Sequence, residues 1–197
     1  MSAPAPQLPE WLSSTLAADA TGGAGALPVW IRALSPAATV TGPALTVTVG
    51  RDDNTPMRDV PARIAAPGTV LVVGGASESR TAILGDLVAQ ELLAAGVAAV
   101  VTDGLIRDSL AVAALGLPVW ARGVTPVASR KDGVGHVGSG VAIGGVPVAD
   151  GDLVIADADG IVIWPAARVP DLTPAADAKR QADDERAARL AGREPGG

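Results

Sequence analysis

The middle of the chain alternates short apolar runs with segments that have helical spacing. Residues 69–73 (TVLVV) and 97–101 (VAAVV) are continuous β-rich runs typical of buried strands, and residues 117–121 (LPVWA) form a third, shorter run. Between these runs, residues 82–95 and 107–115 carry apolar side chains at the spacing of amphipathic helices. Strands joined through helices pair in parallel with right-handed crossovers, so this order predicts an α/β fold.

Residues on both sides of this alternation predict further strands. Residues 42–49 (GPALTVTV) alternate, so we expect a strand with one buried face that carries Leu45 and Val47 and a second face that carries Thr46. After Gly133 the chain is β-rich. Three turn signals interrupt this part and indicate hairpins, at Gly144-Gly145, Asp150-Gly151 and Asp159-Gly160.

The two ends of the chain differ from its centre. Residues 1–10 contain three prolines and predict a flexible arm, and residues 11–20 predict a first helix. Charged residues at helical spacing near the other end predict a helix and a tail over residues 175–197. Since no shift in composition and no internal repeat divides the chain, we expect a single domain over residues 11–174.

The composition excludes several classes of function. The 197 residues are 48% hydrophobic but only 2% aromatic, so the core is expected to consist of closely packed small aliphatic side chains. A net charge of −6 argues against a nucleic-acid-binding surface, and the absence of cysteine excludes disulfides and thiolate catalysis. No signal sequence or apolar run of about 20 residues is visible, so we expect a cytoplasmic protein without a membrane partner.

Few residues outside one segment could carry chemistry. Lys131 and Lys179 are the only lysines, and neither lies in the apolar setting that a Schiff-base lysine needs, so an imine mechanism is not expected. His136 is the only histidine, and without a G-x-S-x-G motif we interpret it as structural or exposed. Gly74-Gly75 follows a strand but lacks the glycine patterns of nucleotide-binding loops.

The segment that begins at Gly85 holds the residues that we interpret as a site. Gly85 opens a helix, where backbone amides are free to bind an anion. Four residues provide this predicted substrate-binding backbone: Gly85, Asp86, Leu87 and Val88. Arg107 offers a planar guanidinium that can hold a carboxylate or a 2-oxo oxygen. Asp108 offers one hard oxygen ligand, which suits Mg²⁺ because this ion keeps several waters and takes further ligands from the substrate.

The spacing of these residues resembles a known family. Asp86 is followed by twenty residues and then by Arg107-Asp108. This pattern is similar to that of the RraA-like family, in which 4-hydroxy-4-methyl-2-oxoglutarate/4-carboxy-4-hydroxy-2-oxoadipate aldolases share it, whereas regulators of ribonuclease E typically have Gly at the first position. The resemblance extends over residues 12–170 and includes Gly42-Pro43-Ala44 and the segment DADGIV at residues 157–162.

The resemblance implies a fold, an assembly and a reaction. The fold would be a layered α/β/β/α sandwich of the swivelling type, assembled into a homotrimer or into a hexamer of two trimers. The reaction would be class II cleavage of a small 4-hydroxy-2-oxo acid to pyruvate, with oxaloacetate decarboxylation as a companion activity. The resemblance makes Asp108 the ligand of Mg²⁺, or of Mn²⁺ or another divalent ion. Arg107 would stabilise the enolate with the metal, and Asp86 would orient a water that moves the proton.

Several alternatives remain open from the sequence. Asp86 could simply favour the helix dipole, and Arg107-Asp108 could be an ion pair at a helix start. The chain could be a regulator that binds an RNA-processing enzyme without chemistry, or a lyase for another 2-oxo acid. Ala111 stands where some family members have an acidic residue. Two acidic residues could complete a neighbouring subunit's metal site, Asp157 and Asp159. Four arginines could bind a distal carboxylate of the substrate: Arg51, Arg58, Arg80 and Arg122.

Overall fold

A computed structural model describes residues 8–34 and 39–192 of the chain. The α-helices in this part are α1 (Ser14–Thr21), α2 (Asp86–Ala94), α3 (Ser109–Ala114) and α4 (Val169–Leu190). The strands are β1 (Arg32–Ala33), β2 (Val40–Thr48), β3 (Thr69–Gly74), β4 (Ala82–Leu84), β5 (Val97–Thr102), β6 (Leu105–Ile106), β7 (Val119–Ala121), β8 (Gly123–Val124), β9 (His136–Val137), β10 (Val141–Ile143), β11 (Val146–Val148), β12 (Leu153–Ala156) and β13 (Ile161–Trp164).

The main sheet confirms the predicted parallel centre. Its strand order is β1-β7-β5-β3-β2-β12-β13, with β9 pairing beside β2, and the four strands β2, β3, β5 and β7 run parallel. The remaining strands of this sheet pair antiparallel. A second, smaller sheet consists of the parallel strands β4, β6 and β8, and β10 and β11 form a separate hairpin. The chain is therefore a mixed α/β fold, as the alternation of strands and helices predicts.

Alternation along the buried strands distributes the core between the two faces of the main sheet. In β3, Leu71 belongs to the cluster that also contains Leu92 of α2, whereas Val70 and Val72 belong to the cluster that contains Ile143 of the β10–β11 hairpin. A third cluster joins α1 and α4 to β12 and β13. The helices thus cover the outside of the β layers, in agreement with the predicted layered sandwich.

Two predicted helices begin later than the sequence indicates. Residues 82–84 form β4 rather than the first turn of a helix, and α2 begins at Asp86. Ile83 and Leu84 are each 1% exposed, and β4 pairs in parallel with β6, so the burial of a short apolar run decides its conformation. Similarly, α3 begins at Ser109, because Arg107 continues the chain from β6 and donates its amide to the Leu84 carbonyl at 3.0 Å.

The prediction of a single buried face for β2 is wrong. Thr46 is 0% exposed because β2 lies in the middle of the main sheet, which is covered on both sides. The Thr46 amide and hydroxyl donate to Asp150 Oδ1 at 2.7 and 2.8 Å, which satisfies the buried polar groups. The hairpin predicted at Asp150-Gly151 is wrong, because these residues connect β11 to β12 and the two strands do not pair. The hairpins predicted at Gly144-Gly145 and Asp159-Gly160 are confirmed.

The helices near the two ends of the chain pack together. The predicted first helix is confirmed as α1, where Ser13 Oγ accepts the Leu16 amide at 3.2 Å as an N-terminal cap. Helix α4 begins earlier than predicted, because Val169 and Leu172 are buried in the third cluster. Residues 1–7 of the predicted arm and 193–197 of the predicted tail lie outside the described residues. None of the helices described combines the length and the apolar character needed to cross a membrane.

Candidate active site

The start of α2 forms one side of the candidate site. Gly85 is the N-terminal cap residue, with φ −137° and ψ −162°, an extended conformation that any residue can adopt. What requires glycine here is space, because a Cβ would lie 2.5 Å from Asp108 Oδ2 and 2.9 Å from Arg107 Nε. No side chain caps the first turn of α2, so its amides remain available to an anion as the sequence predicts.

Arg107 and Asp108 form the opposite side of the site. The parallel pairing of β4 with β6 brings these two residues, which follow β6, beside Gly85, which follows β4. Arg107 Nε lies 3.2 Å from Asp108 Oδ2, and the two side chains are 40% and 41% exposed. Asp108 has φ 53°, in the left-handed region that few residues other than glycine adopt. An ion pair between side chains this exposed adds little to the stability of the fold. Both side chains are therefore accessible to a ligand.

Two neighbouring cavities, which share part of their lining, lie against this corner. The inner compartment, of about 70 Å³, is lined among others by Leu84, Gly85 and Arg107. The outer compartment, of about 220 Å³, is lined among others by Arg58 and Glu91. Four residues line both compartments: Asn54, Leu87, Val88 and Lys131. The shared wall indicates that a small molecule bound at Gly85 and Arg107 could extend toward Arg58.

Asn54 is a site residue that the sequence analysis missed. Its Nδ2 donates to the Ile83 carbonyl at 2.8 Å, which holds the side chain against β4. Its Oδ1 is buried and has no hydrogen-bond partner within the part of the chain that the structure describes. A buried acceptor without a partner is unfavourable by about 1–3 kcal/mol, and because Oδ1 is closed to solvent, this is a cost to the fold and not an acceptor exposed to the cavity. No local motif marks Asn54, since only tertiary packing brings it to the cavity.

Asp53 positions the loop that carries Lys131. Its carboxylate accepts the amides of Thr55 at 2.7 Å, Gly133 at 2.7 Å and Asp132 at 3.2 Å. Burial raises the pKa of Asp53, but these hydrogen bonds outweigh it, and the pKa lies below the ordinary value. From the sequence, Lys131 is not expected to form a Schiff base. In the structure it lines both compartments.

The predicted residues do not all meet at the cavity. Gly85, Leu87, Val88 and Arg107 line the inner compartment, whereas Asp86 lines neither compartment. Asp86 is the first residue of α2, and its side chain accepts no hydrogen bond from another described residue. Asp108 and Ala111 border an open depression on the other side of Arg107.

Among the four arginines proposed for a distal carboxylate, only Arg58 lines the outer compartment. Arg51 lies 3.6 Å from Glu78 in an exposed ion pair, and the Arg80 amide donates to Asp52 Oδ1 at 2.6 Å. Arg122 has a structural role instead, because its guanidinium donates to the carbonyls of Asp103 and Ser79.

Asp103 itself anchors the turn that follows β3. It accepts the amides of Gly75 at 3.2 Å and Ala76 at 2.9 Å. Burial raises the pKa of this carboxyl, against the effect of these amides and of the Arg122 charge. Asp103 lines neither compartment and serves the fold.

Asp157 is likewise a structural residue. Its carboxylate accepts the Ser14 amide at 2.7 Å, the Ser14 hydroxyl at 2.6 Å and the Asp159 amide at 3.0 Å. These bonds tie α1 to the β12–β13 turn, and Asp157 is only 8% exposed. Both carboxylate oxygens of Asp157 are thus occupied by hydrogen bonds within the chain. The side chain of Asp159, in contrast, is exposed.

Asp108 is the residue that could hold a metal ion. Across residues 8–34 and 39–192, no three or more His, Cys, Asp or Glu side chains group as a metal site. Mg²⁺ is commonly held by one or two carboxylates together with water and substrate, so a single carboxylate such as that of Asp108 is a ligand of the kind this ion takes. The exposure of Asp108 leaves room for those further ligands.

Comparison with known proteins adds to this geometry. A family model described as RraA-like, Aldolase/RraA, matches residues 15–163. A protein of Halalkalibacterium halodurans, provisionally named a 4-hydroxy-4-methyl-2-oxoglutarate aldolase, is 37% identical over 174 residues, which cover 88% of this chain and 82% of that protein. The chain belongs to the RraA-like family. A second relative with the same provisional name, from Shewanella oneidensis, is 34% identical over 114 residues, which cover 57% of this chain and 68% of that protein.

Solved structures of RraA-like proteins have the same fold. Streptomyces coelicolor RraAS2, described as an unusual member of a family of RNase ES inhibitors, has a TM-score of 0.80 at 31% identity and covers 90% of this chain and 93% of its own. The RNA-processing inhibitor RraA from Thermus thermophilis has a TM-score of 0.69 at 30% identity, with coverage of 78% and 93%. The RraA-like fold is therefore established for this chain, whereas the names of its relatives include both aldolases and inhibitors.

Proposed function

We propose that this RraA-like protein is a divalent-metal-dependent aldolase that cleaves a 4-hydroxy-2-oxo acid to pyruvate. The observation that carries the proposal is the convergence of Arg107 and Asp108 on Gly85, so close that a single methyl group at Gly85 would collide with both side chains. Arg107 and the start of α2 line one small cavity, which suits a 2-oxo acid and the negative charge that develops on it, and Asp108 borders the depression on the other side of Arg107. The aldolase names of two relatives support this choice.

The chemistry follows from what each group can hold. The free amides at the start of α2 bind the C1 carboxylate of the substrate, and Arg107 donates to the C2 oxygen. The C4 hydroxyl gives its proton to the water that Asp86 orients, and C4 becomes the carbonyl carbon of the second product as the C3–C4 bond breaks. The electron pair of that bond moves into the pyruvate enolate, whose negative oxygen Arg107 stabilises. Asp108 would hold Mg²⁺, or Mn²⁺ or another divalent ion in its place, and such an ion would supply positive charge that favours the enolate.

The enolate then takes a proton at C3 to become pyruvate. Asp86 orients the water that carries this proton, which is consistent with a carboxylate near the cavity but not in its wall. Loss of CO₂ from oxaloacetate produces the same enolate, so we expect oxaloacetate decarboxylation as a companion activity.

The test is pyruvate release from 4-hydroxy-4-methyl-2-oxoglutarate and from oxaloacetate, with Mg²⁺ and with a chelator. Arg107→Ala and Asp108→Asn are each expected to lower kcat/KM at least about 100-fold, as is usual when a group that stabilises an oxyanion is removed. Arg51→Ala is the matched control, because it removes an exposed arginine that lines neither compartment. Pyruvate release that is independent of metal, or equal in all variants, would refute the proposal.

A second candidate function rests on the inhibitor names of two RraA-like structures. Under this alternative, the chain would bind an RNA-processing enzyme and perform no chemistry. Assays of pyruvate release and of RNA cleavage distinguish the two functions. Metal-dependent pyruvate release favours the aldolase, whereas inhibition of RNA cleavage by a parent chain that releases no pyruvate favours the inhibitor.

We also propose that the chain assembles into a homotrimer or a hexamer. Large apolar side chains next to Asp108 are exposed, among them Leu110 at 88% and Val124 at 57%. Both border the open depression beside the metal-binding carboxylate, together with Pro126. Exposed apolar side chains gathered at one place are typical of a surface that a partner covers.

A further inference from the structure

A further cavity, which we call the apolar groove, lies where β2, β3, β12 and α4 begin. Its volume is about 400 Å³, far above the roughly 10–15 Å³ that a single water needs, so it is more than a packing defect. It shares no lining residue with the two compartments near Arg107. The walls are formed by residues 41–43, residues 66–68, Gly151, Leu153, Ala166 and Val169.

The lining of this groove is apolar and uncharged. Thr41 carries the one polar side chain among its described lining residues. Four small apolar residues of the walls are exposed: Pro43, Ala66, Pro67 and Ala166. A charged ligand would lose its water here without gaining a partner, whereas an apolar occupant would remove these side chains from water.

Two glycines keep the rim of the groove open. Gly68, with φ 91°, and Gly151, with φ 85°, have no atom within 4 Å of the position where a Cβ would stand. Their amides are already bonded, to the carbonyls of Gly96 at 3.0 Å and Ala44 at 2.8 Å. Another stretch of backbone can therefore approach closely and does not have to satisfy these donors.

The chain itself supplies an apolar segment at this place. Leu8, the first residue that the structure describes, lines the groove. The seven residues before it, MSAPAPQ, contain no charged side chain. In a polyproline conformation, with a rise of about 3.1 Å per residue, seven residues extend about 22 Å from Leu8.

The sequence of this segment favours docking in an apolar groove. Pro4 and Pro6 have fixed φ angles, and a residue before proline is restricted to extended conformations, which applies to Ala3 and Ala5. Such a segment loses little conformational entropy on binding. The two prolines also lack an amide N–H, so fewer polar groups lose their water when the segment is buried.

We infer that the apolar groove is the docking site of residues 1–7 of the same chain, with residues 3–6 against Ala66, Pro67 and Ala166. The docked segment joins parts of the chain that are far apart in sequence, namely the starts of β2, β3 and α4, and so stabilises the fold. No residue of the candidate active site takes part. The inference is therefore independent of the proposed aldolase function.

Disulfide trapping tests the position of residues 1–7. The chain contains no cysteine, so two introduced cysteines have no competing thiol. A disulfide requires Cα atoms about 4.4–6.8 Å apart and therefore reports close approach. Ala3→Cys and Ala5→Cys are each combined with a cysteine in the groove lining, at Ala66 or Ala166, and the formation of the disulfide under mild oxidation is followed.

Ala65→Cys and Ala167→Cys are the matched controls, because both residues are exposed and adjacent to a lining alanine but do not line the groove. At least one groove pair should form an intramolecular disulfide about tenfold faster than its control pair, because docking raises the effective concentration above that of a free tether. Equal rates at groove and control positions overturn the inference. Disulfides that join two chains also overturn it, since the occupant is then a second copy of this chain.

Deletion of residues 1–7 tests whether docking stabilises the fold. The deletion should lower the urea midpoint of unfolding. Ala66→Arg should lower the midpoint of the full chain by displacing the segment and should leave that of the shortened chain unchanged, whereas the control Ala65→Arg should change neither. An unchanged midpoint after the deletion, or an equal effect of Ala66→Arg in both chains, overturns the inference.

Discussion

The substitution Gly85→Ala is expected to disturb the candidate site while leaving the fold intact. The added Cβ would lie 2.5 Å from Asp108 Oδ2 and 2.9 Å from both Cγ and Nε of Arg107, distances too short to persist. Because the side chains of Arg107 and Asp108 are about two-fifths exposed, they can move into solvent instead of straining the backbone. The substitution should therefore displace the two groups that we propose for chemistry while the surrounding sheet stays intact.

The expected change in stability is small. Alanine is less favourable than glycine at a helix N-terminal cap by about 0.5–1 kcal/mol, but it restricts the unfolded chain, which offsets about 0.4–1 kcal/mol. The extended conformation of Gly85 is open to alanine, so no backbone strain adds to this balance. We expect the free energy of unfolding in urea to stay within about 1 kcal/mol of the parent value.

The expected change in activity is large. A displacement of about 1 Å in a catalytic group can reduce the rate about 100-fold. The rate of pyruvate release and the rate at which the methyl protons of pyruvate exchange with D₂O should both fall by at least this factor. Gly123→Ala is the control, because its Cβ would make an ordinary 3.5 Å contact with Leu105. If Gly85→Ala kept parental activity, Arg107 and Asp108 would not be the reacting groups; if it unfolded the chain, Gly85 would serve the fold instead.

Two further predictions concern the hydrogen bonds of Asp53 and the assembly of the chain. The pKa of Asp53 lies below its ordinary 3.8, so its stabilising contribution is present above that pH and is lost as the pH falls through the lower folded value. Urea unfolding between about pH 6 and 2 should therefore be less pH-dependent in Asp53→Asn than in the parent, and an identical dependence would contradict this assignment. Leu110→Glu should reduce the mass measured by light scattering without changing the circular dichroism spectrum, because Leu110 makes little contact within its own chain; an unchanged mass would place the interface elsewhere.

Local signals in the sequence are sufficient to predict the central elements. The apolar runs at β3 and β5 and the helical spacing between them depend on neighbouring residues alone, so they predict the parallel core correctly. Gly96, with φ 95°, ends the first of these helices as expected. The spacing of Asp86 from Arg107-Asp108 is also a local pattern, and it indicates the RraA-like family without any knowledge of tertiary contacts.

Short apolar segments are ambiguous from local sequence. Residues 82–84 have the spacing of a helix, and pairing with β6 makes them a strand. In the same way, the alternation in β2 indicates an exposed face for Thr46, and the hairpin and helices that cover the main sheet make this residue fully buried. Neither outcome is encoded within a few residues, because each depends on what packs against the segment.

The sequence by itself determined the strand–helix order and the family, and it predicted Arg107-Asp108 as the candidate site. Only the tertiary structure decided that Asn54 and Lys131 share a cavity with Gly85 and that Asp86 does not line it. The physical reason is that the cavity walls are joined by long-range hydrogen bonds, such as those from the amides of Asp132 and Gly133 to Asp53, about 80 residues away in sequence. Periodicity reports on neighbours along the chain and carries no information about such contacts.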